Sequence, residues 1–170
     1  MKVYFSHGKE SGPWGSKIRH LASIAKEYGC AVESLDYSDL MNPDLRVTRL
    51  LDTIKNEKED FLLVGSSMGG YVSLVAAEQT SVLSVFLMAP ALYLPGYEKQ
   101  EYHTGAKHLE IVHGWSDETI PPEHSIRFAR QADCTLHLIS GDHRLTNSIK
   151  TVGLLFRQFL TGSDLVHRTV

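Results

Sequence analysis

Phe61-Leu62-Leu63-Val64-Gly65-Ser66-Ser67-Met68-Gly69-Gly70-Tyr71-Val72 is the stretch whose reading decides the fold. An apolar run ends in Gly-x-Ser-x-Gly and leads straight into residues with helical periodicity, so a buried strand, a tight turn and a helix follow without a break. A serine on such a turn must adopt an unfavourable backbone conformation, and Gly65 and Gly69 let chain segments approach where side chains would clash. The turn lifts the Ser67 hydroxyl above the sheet and sets it beside the positive end of the following helix. Ser67 is therefore a candidate nucleophile. The plainer reading of the same residues is a glycine-rich turn that only packs helix against sheet. Ser66 points away.

Outward from this stretch, short apolar, β-branched or aromatic runs at 2–6, 31–36, 61–65, 83–89, 109–113 and 135–139 alternate with segments of helical period. That alternation predicts βαβ units and a parallel sheet covered on both faces. Ile18, Leu21, Ala22, Ala25 and Tyr28 share one helical spacing. Val47, Leu50, Leu51 and Ile54 share another, after an Asn42-Pro43 start suited to an N-cap and first helical position. Further helices are expected from about Met68 to Gln79, Pro122 to Ala132 and Asn147 to Leu160, with a frayed end from Gly162 to Val170. The connection 90–107 is Tyr-, Pro- and Gly-containing without an apolar stripe, and reads as loop with a turn or two of helix.

A serine hydroxyl needs a base within hydrogen-bond reach and an acid to orient that base. The run 109–113 leads into Gly114-Trp115-Ser116-Asp117-Glu118-Thr119-Ile120-Pro121, which puts a carboxylate just past a strand. The run 135–139 leads into Ser140-Gly141-Asp142-His143, which puts a histidine just past the last strand. Both land at the carboxyl edge of the sheet, where open α/β sheets bind ligands. Asp117 is the expected acid, with Glu118 as the alternative, and His143 the expected base. Asp142 stabilises the loop of His143. His113 and His137 lie in strand-like runs and read as structural; His20, His103, His108, His124 and His167 read as solvated.

Two backbone N–H groups must also face the developing oxyanion. One is expected from Met68. The other is expected from Lys9, in the loop Ser6-His7-Gly8-Lys9-Glu10-Ser11-Gly12-Pro13-Trp14-Gly15 after the first run. Gly8 allows close approach and His7 holds the loop by a hydrogen bond. The glycines at 8, 12 and 15 match neither phosphate-binding loop pattern. His7, Gly8, Trp14, Tyr93 and Trp115 are expected to contact substrate, with Tyr71 and Tyr97 as further aromatic candidates for the mouth.

Composition narrows the function classes. The 170 residues, 42% hydrophobic, suffice for one core and one domain over 1–170. A net charge of −3 with scattered Lys and Arg gives no reason to expect nucleic acid. The longest apolar stretch, Val82 to Leu94, is broken by Ser84 and Pro90 and falls short of the ~20 residues that span a bilayer. The start of the chain reads as a strand, not a signal peptide. Cys30 and Cys134 fit a reducing compartment, and no His/Cys spacing suggests a metal.

With the serine turn, Asp loop, His loop and His-Gly step in this order, the chain from about Lys2 to Leu160 resembles the α/β-hydrolases, in particular their small, capless, bacterial esterase-like members. The resemblance implies a three-layer α/β/α sandwich with a six-stranded, mostly parallel sheet in the order 2-1-3-4-5-6, a minimal fold without a lid domain. It also implies a serine hydrolase that needs no cofactor and cleaves a small carboxylic ester or thioester through an acyl-enzyme, and the cysteine usage with no signal or membrane pattern makes the expected location cytoplasmic. Thioesterase or amidase chemistry by the same residues, or a non-catalytic binding module on this scaffold, are the alternative expectations.

Overall fold

The structure is a computed structural model that describes residues 1–162. The fraying expected past Gly162 and the solvation expected of His167 fall outside the described residues. Along the chain come β1 (Lys2–Ser6), α1 (Ser16–Glu27), β2 (Ala31–Leu35), α2 (Pro43–Ile54), β3 (Phe61–Ser66), α3 (Met68–Ala77), β4 (Ser84–Met88), β5 (His108–Gly114), α4 (Pro122–Ala132), β6 (Thr135–Ile139) and α5 (Ile149–Gly162). The six strands form one sheet in the order β2-β1-β3-β4-β5-β6. Every pairing is parallel.

Side chains alternate across this sheet and build two cores. Tyr4, Leu63, Val85, Leu87 and Ile111 face α2, α3 and α4, where they meet Leu50, Tyr71, Leu74 and Phe128. Val3, Phe5, Val64, Phe86 and Val112 face α1 and α5, where they meet Leu21, Ile24, Phe156 and Phe159. The ring of Phe86 lies 5.1 Å from both Phe156 and Phe159. Emptying a buried aromatic position of this kind costs about 3–5 kcal/mol. β3 is buried at every residue because helices cover both of its faces.

Local chemistry sets the element ends. The Asn42 side chain accepts the N–H groups of Asp44 and Leu45, capping α2, and Pro43 occupies its first turn. α4 ends on Asp133 in the left-handed conformation, φ 51°. The parallel strands all point the same way, so the loops after β1, β3, β5 and β6 gather at one edge. No described helix is long and apolar enough to cross a membrane. Cys30 and Cys134 are free, and burial pushes the Cys134 thiol up to about 11.

The connection 90–107 contains no helix. Tyrosine hydroxyls and backbone groups order it instead. Tyr102 donates to Lys99 O and accepts Tyr93 N–H, while Tyr71 on α3 donates to Asp44 and accepts Lys99 N–H. Asp44 also accepts the Glu98 N–H, and Glu78 accepts that of His103.

Candidate active site

Ser67 sits between β3 and α3 with φ 56° and ψ −122°. A non-glycine residue there stores on the order of 1–3 kcal/mol, which the surroundings must offset. They do so by fixing its peptide groups: Ser67 N–H donates to Met88 O at 3.0 Å, and Ser67 O accepts Gly70 N–H at 2.8 Å and Ala91 N–H at 3.0 Å. The turn is too tight for side chains on either flank. A Cβ on Gly65 would lie 2.2 Å from Gly69 O, and one on Gly69 would lie 2.0 Å from Ser6 O.

Asp117 and His143 stand on neighbouring loops whose backbones nearly touch. Ser116 N–H donates to Gly141 O at 2.9 Å and Trp115 N–H to Ile139 O at 2.9 Å. Asp142 Oδ1 accepts the Leu145 N–H, which pins the histidine loop, and the buried Leu145 side chain anchors it in the α1/α5 core. His143 Nδ1 lies 2.7 Å from Asp117 Oδ2, and His143 Nε2 lies 2.9 Å from Ser67 Oγ. The carboxylate fixes Nδ1 as the donor, leaving Nε2 to accept a hydrogen bond from the Ser67 hydroxyl.

Asp117 is more fully tied than its sequence context suggests. Oδ1 accepts the N–H groups of Thr119 and Ile120 at 2.9 and 2.8 Å. Oδ2 also meets His113 Nε2 at 3.0 Å. Burial opposes the charged carboxylate, but the Ile120 N–H and the His143 contact outweigh it and hold the group below the ordinary aspartate range. Burial pushes the His113 imidazole below its usual value. Neutral His113 then donates through Nε2, and its Nδ1, 2.7 Å from Ser125 Oγ, accepts from that hydroxyl. His113 is structural as expected, but its structure-holding partner is Asp117. Glu118 is exposed and takes no part in this network.

Gly8 lies against the serine: a Cβ placed on it would be 3.4 Å from Ser67 Cβ. Among the described residues, no acceptor takes the N–H of Lys9 or of Met68. His7 requires a correction, because it does not line a substrate pocket. It is fully buried, with Nδ1 2.7 Å from Gly8 O and Nε2 accepting the Tyr37 N–H at 3.0 Å, so both ring nitrogens are committed to the loop. Tyr93 turns its ring to α4, where the Arg127 guanidinium lies 3.9 Å from the ring centre. Trp14 and Trp115 are 41% and 59% exposed, on the loops that carry Gly8 and Asp117. Tyr71 and Tyr97 pack edge to face, 4.7 Å apart, and Tyr71 is buried, so it too is withdrawn from any mouth.

Two neighbours of the site carry no sequence motif. Lys17 on α1 donates to His143 O at 3.5 Å, and burial pulls its ammonium down to about 8. Arg46 on α2 is fully buried beneath the loop of Gly8. The signal for Arg46 was present, since it falls within the buried stripe Pro43, Val47, Leu50 and Ile54. Among the described residues no group of three His, Cys, Asp or Glu side chains could hold a metal ion.

This fold and edge geometry define the class of protein, and solved structures agree. The chain is 30% identical to a protein from Xanthomonas campestris pv. campestris assigned to the α/β superfamily of hydrolases, over 95% of this chain and 98% of that one, with a TM-score of 0.86. Est1E from Butyrivibrio proteoclasticus is 21% identical, covering 95% and 87% of the two chains with a TM-score of 0.81. A monoacylglycerol lipase from Paleococcus ferrophilus is 15% identical, covering 95% and 94%, with a TM-score of 0.77. The last two likenesses show the fold alone. No curated protein is significantly similar in sequence. Within the α/β-hydrolase superfamily the chain belongs to the family described as Uncharacterised protein family (UPF0227), whose model matches residues 1–106.

Proposed function

We propose that the protein is a serine hydrolase that cleaves a small carboxylic ester or thioester, with Ser67 as nucleophile, His143 as base and Asp117 as orienting acid. The observation that carries this reading is the unbroken chain Ser67 Oγ, His143 Nε2, His143 Nδ1, Asp117 Oδ2, with links of 2.9 and 2.7 Å, on a serine held at φ 56°. His143 takes the Ser67 proton as Oγ attacks the acyl carbonyl, and Asp117 stabilises the imidazolium that forms. The Met68 and Lys9 N–H groups receive the oxyanion. His143 returns its proton to the leaving group, and the acyl-enzyme is then hydrolysed by water that His143 activates. Trp14 and Trp115 offer exposed apolar surface to the substrate beside this centre. No step requires a cofactor.

A fluorophosphonate probe with mass-spectrometric site mapping tests the reading. The expected result is a single adduct on Ser67, absent from Ser67→Ala, together with turnover of short esters or thioesters. Folded protein that resists the probe and hydrolyses none of a panel of esters, thioesters and amides would instead be a binding module on a hydrolase scaffold. The same panel distinguishes ester from thioester and amide cleavage.

A further inference from the structure

Arg46 carries a buried charge in an unusual setting. Its guanidinium donates to no carboxylate among the described residues, and lies over the Tyr37 ring, 5.3 Å from the ring centre. Five carbonyls receive it instead. Nε donates to Leu40 O at 2.6 Å, Nη1 to His7 O and Gly8 O at 3.2 Å each, and Nη2 to Tyr37 O at 3.2 Å and Lys9 O at 3.4 Å. A buried cation without a counter-ion is costly unless its surroundings are aligned to it. Here the aligned groups include three consecutive carbonyls of the loop after β1.

That alignment fixes the opposite side of the same peptides. In a planar trans peptide the C=O and the following N–H point in opposite directions. Drawing the carbonyls of His7, Gly8 and Lys9 inward onto one guanidinium therefore turns the N–H groups of Gly8, Lys9 and Glu10 outward. The Gly8–Lys9 peptide is the most firmly held, because His7 Nδ1 also reaches Gly8 O at 2.7 Å. Gly8 packs against Ser67, and the Lys9 N–H has no acceptor among the described residues. Residues 9–12 are exposed and include Gly12, so the loop surface alone does not select one peptide orientation. A flipped Gly8–Lys9 peptide would present a carbonyl oxygen to the reacting centre and repel an oxyanion.

From this geometry we infer that Arg46 is the positioning residue of the oxyanion site: by gathering three loop carbonyls, its buried guanidinium aims the Lys9 N–H at the space before Ser67. The inference rests on the serine-hydrolase reading and adds to it a residue that touches no reacting atom.

The test compares wild type, Arg46→Met, Arg46→Lys and Lys9→Pro in steady-state hydrolysis, in inhibition by a trifluoromethyl ketone and in thermal unfolding. The ketone forms a tetrahedral adduct whose oxyanion reports the site directly. Arg46→Met is expected to lower kcat by about 10²-fold, the usual effect of losing one oxyanion donor. Its KM should stay within about threefold, and ketone inhibition should weaken in parallel with kcat. Arg46→Lys should fall between, and added guanidinium ion should partly restore Arg46→Met. A folded Arg46→Met with kcat within about threefold of wild type overturns the inference, as does a fall in kcat that leaves ketone inhibition unchanged. If Arg46→Met does not fold, Arg46→Lys and Lys9→Pro decide together: an unchanged kcat in Lys9→Pro, or a folded Arg46→Lys with wild-type kcat and ketone inhibition, overturns the inference, and parallel losses in both variants support it. Wild type that turns over no acyl substrate and resists the fluorophosphonate fails at the earlier step, which is distinguishable from an active wild type with an indifferent Arg46.

Discussion

His113 Nε2 lies 3.0 Å from Asp117 Oδ2, the same oxygen that His143 Nδ1 reaches at 2.7 Å. One buried carboxylate oxygen thus serves a surface-facing imidazole and a wholly buried one. The buried ring belongs to a second network through Ser125 Oγ, so the acid is fastened to α4 as well as to its own loop.

Replacing His113 by Phe should break both ends of this link. Ser125 Oγ and the Ile120 carbonyl would each lose their bond to His113, and Asp117 Oδ2 would keep only His143, at a cost of about 2–4 kcal/mol. Urea unfolding of His113→Phe should show the loss, and hydrolysis should fall by about tenfold as Asp117 loosens. A loss below about 0.5 kcal/mol would count against this account of the network.

Burial lowers the imidazoles of His7 and His113 below the ordinary 6.5. The unfolded chain therefore binds protons near pH 6.5 that the folded chain still refuses, so stability must fall as pH drops below that value and continue falling until the lowered values are passed. Asp117, held below its ordinary 3.8, adds a further loss at more acid pH. Unfolding free energies measured from pH 8 to 4 should show the first slope, and it should be shallower in His113→Phe.

Lys17 gives the opposite window. Its ammonium is pulled down to about 8 from 10.5, so folding is opposed by its charge at neutral pH and that opposition fades between pH 8 and 10.5. Lys17→Met should be more stable than wild type at pH 7, by about 2 kcal/mol after allowing for partial exposure. The two proteins should converge near pH 10.5 in urea titrations. Equal stability at both pH values would refute the assignment.

The turn at Ser67 should tolerate no added methyl on Gly69. Gly69→Ala places Cβ 2.0 Å from the Ser6 carbonyl, a clash of backbone with backbone, whereas Gly12→Ala meets nothing within 4 Å. Gly69→Ala should lose at least about 3 kcal/mol or fail to accumulate as folded protein, while Gly12→Ala should melt within a few degrees of wild type.

Tyr71→Phe should loosen the 90–107 connection without disturbing the sheet. It removes the hydroxyl that joins Asp44 to the Lys99 N–H. Limited proteolysis should then cut within 94–107 faster than in wild type, with a stability loss of about 1–2 kcal/mol.

What the sequence determined by itself is what repeats at short range. Period-two and period-3.6 patterns mark the buried faces, so strands, helices and their order follow from neighbours along the chain. The Ser67 turn was legible for the same reason: Gly65 and Gly69 satisfy a steric demand within five residues. The loops of Asp117 and His143 were legible as edge loops, because each follows a strand in a parallel sheet. The tertiary structure decided which side chains meet. The Ser67–His143 pair spans 76 positions and the Asp117–His143 pair 26, and nothing periodic ties such partners together. It also buried His7, placed His113 on Asp117, ordered 90–107 through tyrosine hydroxyls and set Arg46 beneath the Gly8 loop. These depend on polar groups finding partners in three dimensions, a condition of satisfied hydrogen bonding that pattern along a single chain does not encode.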